Sequence, residues 1–405
     1  MRVLRAIGPG LLVAATGVGA GDLATAAFAG DRLGVAVVWA VAVGAAMKFA
    51  LNEGLARWQL ATGETFLEGV ARRLGRGALA AFLAYFALWS FFVGAALMSA
   101  CGAALHAMIP AFDRASDGKV AFGLAASAAG YALVRAGGYT LFARVMSACI
   151  AAMFVTVVVT AGLVWPGTAA VARGLVPSAA VLQSGALGWT VALIGGVGGT
   201  VTILCYGYWI REEGRAGLDA LPTCRVDLGV GYAATALFGA AMVVVGSAVH
   251  VDGRGAALVV ALGDALGRAL GPAGRWLFLA GAFGAVFSSL LGVWQAVPYL
   301  FADVVRLLAG RADPPDDRSR AYRAYAVAIA TVPALGLVGG FRAMQKLYAT
   351  VGAAFVPLLA LGLLVLCGRA AWIGRGARNG PASTAALAAT LAFFAWLAIR
   401  RWLGG

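Results

Sequence analysis

Windows of about 20 mostly apolar residues, the length that carries a helix across a bilayer, recur eleven times along the chain. They cover 8–29, 34–59, 78–109, 119–135, 140–165, 186–211, 226–250, 274–305, 321–340, 343–368 and 382–403. The connecting segments are short, so the pattern predicts an all-α polytopic membrane protein with eleven transmembrane helices in one membrane domain, residues 1–405.

Composition agrees and narrows the class. Of 405 residues, 62% are hydrophobic and 12% charged, with a mean hydropathy of +0.89. That is about half the charged share of an ordinary soluble domain, too little to keep a body of this size in water. A soluble enzyme is excluded on those grounds, and no nucleophile–base constellation stands out. The 57 glycines show no collagen period, and the apolar content argues against disorder.

The net charge of +14 reads as basic loops on the cytoplasmic face and not as a nucleic-acid surface. With the N-terminus inside, 19 Lys and Arg fall in inside segments and 11 outside. This predicts a cytoplasmic N-terminus and an external C-terminus, in a bacterial plasma (inner) membrane. Cys101, Cys149, Cys205, Cys224 and Cys367 have no paired spacing and read as buried small hydrophobes. His106 and His250 stand alone. The first apolar run is too long for a cleavable signal.

Two places inside the spans break the apolar pattern. The first span contains GVGAGD at 17–22 and the sixth GGVGGT at 195–200. Each glycine costs a helix about 1 kcal/mol relative to alanine. One such cluster can serve close helix packing, but two at corresponding places, five spans apart, predict an inverted-repeat transporter with discontinuous helices. Backbone groups bared at mid-membrane cannot face lipid and must line a cavity or meet a ligand. Half-helix N-termini suit an anionic group and half-helix C-termini a cation.

Three ionisable residues sit clearly within spans: Asp22, Lys48 and Glu53. Such residues mark function unless paired. Asp22 reads equally as an N-cap of the second half-helix and as a ligand for substrate or coupling ion. Lys48 and Asn52 share one face of the second span. The expectation is that Lys48 pairs with Asp22 or Glu53, and that Glu53 is ion-paired near the inner end. In the eighth span Ser288, Ser289 and Gln295 interrupt an apolar run. They read as interhelical hydrogen bonders or, for the two serines, as hydroxyls that join first-span carbonyls around a sodium ion.

Three segments resemble the natural-resistance-associated macrophage protein (NRAMP) family: GPGLLVAATGVGAGDLATAAFAG at 8–30, NEGLARWQLATGETFLEGV at 52–70 and TVTILCYGYWI at 200–210. The resemblance implies a LeuT-type fold of the wider APC superfamily, working by alternating access. Its two inverted five-helix repeats would cover 8–165 and 186–368, with an extra helix at 382–403. Metal-transporting members carry Asp-Pro-Gly-Asn in the first helix and Met-Pro-His in the sixth. Aligned on the shared Ala-Thr, the aspartate falls on Gly19 and the asparagine on Asp22; the sixth-helix positions are Ile203, Leu204 and Cys205. The acidic residues of the family's third-helix proton route have no counterpart in 78–109, and Gln295 matches a polar position of the eighth.

One carboxylate with no methionine is a poor seat for a transition metal. The first span looks more like amino-acid transporters of the same superfamily, some of which hold sodium on eighth-helix hydroxyls. The resulting expectation is a secondary transporter of a small zwitterionic or organic solute such as an amino acid. The site would lie between Gly17–Asp22 and Gly199–Tyr206. Backbone donors of Gly19, Gly21 and Asp22 would meet the anionic end; Asp22, Thr200 and Thr202 the polar groups; Cys205 and Tyr206 would shape the pocket. Lys48, with Asn52 and Glu53 nearby, would set the charge, and Ser288, Ser289 and Gln295 would serve the coupling ion, Na⁺ or H⁺. The alternative is a divalent-metal transporter that binds Mg²⁺ or Mn²⁺ through Asp22 and retained waters. A non-transporting receptor is a third class. Beyond lipid and the transported solute, no cofactor, nucleic acid or obligatory protein partner is expected.

Overall fold

A computed structural model describes residues 8–18, 20–177, 184–248, 257–311, 313, 316–338 and 341–403; His250 lies outside them. Within them the secondary structure is helical throughout. The helices are α1 (Pro9–Gly17), α2 (Ala20–Leu33), α3 (Val38–Thr62), α4 (Phe66–Arg73), α5 (Arg76–Met108), α6 (Ala115–Leu163), α7 (Thr168–Gly174), α8 (Ser184–Gly196), α9 (Cys205–Glu212), α10 (Leu221–Ala248), α11 (Ala257–Leu308), α12 (Arg320–Thr331), α13 (Phe341–Ala353), α14 (Phe355–Gly368), α15 (Ala370–Ile373) and α16 (Pro381–Leu403). Eight helical stretches among the described residues are long and apolar enough to cross a bilayer.

The breaks fall where the glycines predict. The first span divides into α1 and α2 at Val18, whose ψ of 76° ends the helix. The sixth divides into α8 and α9 through Val197–Thr200 and a 3-10 turn at Val201–Leu204. The tenth span is also split, into α13 and α14, and the ninth finishes as a 3-10 turn over Val332–Val338.

The fourth and fifth spans differ from expectation. Helical structure is continuous from Ala115 to Leu163, with no loop at Gly137 and Gly138. A straight helix of 49 residues would run about 74 Å, more than twice the bilayer core. The contacts show that it doubles back. Gly130 lies against Leu290 and Leu291, Phe142 packs on Trp209, and Cys149 then meets Gly284 and Thr156 meets Gly281. Since Trp209 bonds Gln295, the path first reaches the level of 295 in α11 and then returns towards 281. The turn therefore falls between Gly130 and Phe142, with helix on either side of it.

The long α11 is kinked at Gly271, whose φ is 75°. It packs along α5 and α6, while α10 packs against α1, α2 and α3. The core is therefore a bundle wrapped around the two broken spans. Two connections carry their own caps. Thr65 and Glu68 form a capping box at the start of α4, and the Ser319 hydroxyl accepts from the Tyr322 amide at the start of α12.

Candidate functional site

The two breaks meet. A Cβ placed on Gly17 would fall 2.5 Å from the carbonyl carbon of Gly198 and 2.8 Å from the Gly199 nitrogen, so only glycine allows this approach. Gly198 and Gly199 hold φ values of +81° and +83°, the left-handed region that L side chains resist. These two residues interrupt the helical path between the end of α8 and the 3-10 turn that leads into α9. Each break leaves helix-end carbonyls that need partners inside the bundle.

Different side chains supply them. In the sixth span, the Lys48 ammonium donates to the Gly195 carbonyl at 3.0 Å and to the Gly199 carbonyl at 2.5 Å. Lys48 is 1% exposed. It reaches this point because Gly44, one turn earlier in α3, lets that helix approach within 2.8 Å, measured from an ideal Cβ, of the Ile194 carbonyl oxygen. In the first span, the Ser289 hydroxyl of α11 lies 2.9 Å from the Ala15 carbonyl oxygen and 3.1 Å from that of Val18. Three oxygens thus converge at the end of α1.

Asn52, one turn after Lys48, is fully buried. Its Nδ2 donates to the Tyr232 hydroxyl at 2.5 Å, and the Tyr232 ring lies against Gly198. The Asn52 Oδ1 is buried with no hydrogen-bond partner. Thr200 accepts from Trp89 Nε1 at 3.1 Å, and the Thr202 hydroxyl sits 2.6 Å from where a Gly199 Cβ would be. Cys205 is buried at the start of α9. Gly17, Gly199, Thr200, Thr202, Lys48, Asn52 and Ser289 therefore gather around one point.

Other predicted residues go elsewhere. The Tyr206 hydroxyl turns away to Asp227 at 3.2 Å. Ser288 bonds the Ala285 carbonyl of its own helix, and the Gln295 side chain accepts from Trp209 Nε1 at 2.9 Å. Glu53 is ion-paired, to Arg57 at 3.2 Å and Arg225 at 2.7 Å, as its position near the span end suggested. Gly19 and the side chain of Asp22 lie outside the described residues, so the Lys48–Asp22 pairing does too, while the Gly21 backbone belongs to the first turn of α2. The α2 helix starts at Ala20, which puts Asp22 inside the first turn and not at the N-cap.

Sequence reasoning missed a second set of buried charges at one end of the bundle. Asp227 is fully buried and accepts from the amides of Gly8 and Gly10, both at 3.0 Å, and from Arg215 at 2.9 Å. It thereby caps α1, which has no capping side chain of its own. Asp303, also fully buried, accepts from Tyr208 at 2.5 Å and pairs with Arg306 at 2.5 Å, which also holds Glu68 at 2.6 Å. Arg57 continues the belt to the Ala377 carbonyl and to Asn379, each at 2.8 Å. Both aspartates fall just inside the ends of predicted spans, 226–250 and 274–305, where a window average hides a single charge. The Asp303–Arg306 spacing of three on one helix was the readable signal; nothing local marks Asp227 as a cap. Between this belt and the breaks lies a small hollow of about 10 Å³, room for about one water, lined by Leu55, Gln59, Thr65, Phe66, Leu204 and Tyr208.

Comparison with solved structures places the architecture. A mutant of the Eremococcus coleocola manganese transporter superposes with a TM-score of 0.77 at 17% identity, over 96% of this chain and 84% of the other. The same transporter in complex with an aromatic bis-isothiourea substituted compound gives 0.75 at 18% identity, with the same coverage. MhsT in complex with L-phenylalanine gives 0.60 at 14% identity, over 96% of each chain. A bundle of this form around two apposed broken spans has the LeuT-type fold of these transporters. A search of curated proteins finds no match. The profile of the family described as natural resistance-associated macrophage protein-like (Nramp) matches residues 10–403, and the chain belongs to that family.

Proposed function

We propose that this protein is a secondary transporter of a divalent cation of the Mg²⁺ or Mn²⁺ type, with a site rebuilt from hard oxygen donors. The family and its manganese-transporting structural neighbours support a metal cargo over the amino acid that the first span alone suggested. The observation that carries the reading is the Asn52 carboxamide oxygen, buried beside the breaks with no partner. An unpaired buried acceptor costs about 1–3 kcal/mol, a cost that a bound cation removes. Break carbonyls and the hydroxyls of Thr200 and Thr202 belong to the same region. Asp22, in the first turn of α2, is the carboxylate nearest along the chain to the first-span break. Where metal-transporting relatives carry methionine and histidine, this chain has Ile203 and Cys205. No group of three or more His, Cys, Asp or Glu forms among the described residues. Such a donor set suits a cation that keeps several waters.

The basic loops orient the ion-paired end towards the cytoplasm. The three oxygens of Ala15, Val18 and Ser289 are the candidate seat of a coupling Na⁺, with the hydroxyl turned to present its lone pairs. Ser288, bonded within its own helix, leaves this role to Ser289.

Thermal unfolding of the purified protein tests the cargo. Mn²⁺ or Mg²⁺ should stabilise it by mass action, and Asp22→Ala and Asn52→Ala should abolish the effect. Stabilisation by amino acids with no response to divalent cations would overturn the reading. A specific observation favours that second outcome: a buried ammonium at the site repels a metal and attracts a carboxylate.

A further inference from the structure

We propose that Lys48 is a tethered cation, which fills a monovalent-cation seat at the sixth-span break whenever the carrier is empty. The proposal rests on the reading that the apposed breaks form the carrier's centre. The seat consists of the carbonyl oxygens of Gly195 and Gly199, 3.0 and 2.5 Å from the ammonium nitrogen. Helix α8 ends at Gly196, so its last carbonyls lack intrahelical donors. One of them, on Leu193, still accepts from the Val197 amide at 3.1 Å. The positive φ of Gly198 and Gly199 ends that pattern and leaves carbonyl oxygens that must be met inside the bundle. Any small cation could satisfy them. This chain supplies its own, on a stem that packs along Gly198 at 3.4 Å from an ideal Cβ.

The arrangement is built for the purpose. Gly44 allows α3 to approach α8, and Lys48 follows one turn later on the same face. The consequence is specific. The empty carrier needs no ion from solution to keep the sixth-span break satisfied, and Na⁺ or K⁺ cannot compete at that seat. Divalent cargo must act against an ammonium already in place, so Lys48 is a specificity-determining residue that raises the charge density a cargo needs in order to bind.

Chemical rescue tests this without any cargo present. Thermal unfolding is compared in ethylammonium, potassium and bulky N-methylglucamine chloride at equal ionic strength, for the wild type, Lys48→Ala and Lys48→Met. Lys48→Ala opens both the seat and the channel left by the stem. At about 0.1 M, ethylammonium should raise its midpoint by about 2 °C or more over N-methylglucamine. The wild type, filled by its own ammonium, and Lys48→Met, filled by a thioether, should not respond. An equal response in all three, or none in Lys48→Ala, overturns the proposal. If Lys48→Ala aggregates in N-methylglucamine, its monodisperse yield becomes the readout. A higher yield with ethylammonium supports the proposal, and equal yields overturn it. A wild type that ignores Mn²⁺ and Mg²⁺ would remove the proposed cargo and leave this result standing.

Discussion

The break in the first span and the break in the sixth lie in contact, yet their bared carbonyls are met by different chemistry. The first is closed by a neutral hydroxyl, Ser289, reaching two carbonyls from α11. The sixth is closed by a charge, Lys48, reaching two carbonyls from α3. A hydroxyl can turn and offer lone pairs to an incoming cation, whereas an ammonium has only donors. The first-span break is therefore the one that can accept a metal without rearrangement, and the sixth-span break accepts one only if Lys48 withdraws. An inverted repeat need not be chemically symmetric: similar backbone unwinding leaves one half receptive and the other already satisfied.

Four substitutions test this contrast, the most damaging first. Gly17→Val places side-chain atoms on the backbone of Gly198 and Gly199, which cannot retreat. It should cost about 3 kcal/mol or more, read by chemical unfolding, and abolish uptake in proteoliposomes. Lys48→Met keeps the stem but strips two carbonyls of their donor. A loss of about 2–3 kcal/mol is expected, together with tighter binding of divalent cations by the folded remainder, measured by calorimetry. Ser289→Ala removes one neutral hydrogen bond, and about 1 kcal/mol is expected. A cost as large as that of Lys48→Met would show that the two closures are equivalent after all. Trp89→Phe leaves the Thr200 hydroxyl free to rotate. It should cost under about 1 kcal/mol and change uptake by no more than a few-fold.

The breaks were legible because glycines packed densely inside an apolar window weaken any helix that runs through them, and the positions of Lys48 and Asn52 followed from helical spacing. The substrate was not legible: the first span's lack of the metal signature pointed to a zwitterion, while the family as a whole points to a cation. Tyr206 was misplaced for a simple reason. Residues 205–212 form a helix, and a tyrosine one position from Cys205 lies about 100° around it, on the side facing Asp227. The buried aspartates were missed because a hydropathy window averages over a span and hides a charge at its edge. The reversal between the fourth and fifth spans was expected as a loop, and a turn this tight, with helix running up to it on both sides, has no signature in the apolar pattern.

Asp227 holds the amides of Gly8 and Gly10 from α10 while Arg215 and Tyr206 grip the same carboxylate from beyond and within α9. The lower half of the first span is therefore welded at its far tip to the segment that follows the sixth. With Val18 as its pivot, α1 is a lever whose handle is shared. It cannot swing alone, and a stroke that opens the passage on that side must either carry α9 and the start of α10 along or tear out four contacts on one carboxylate.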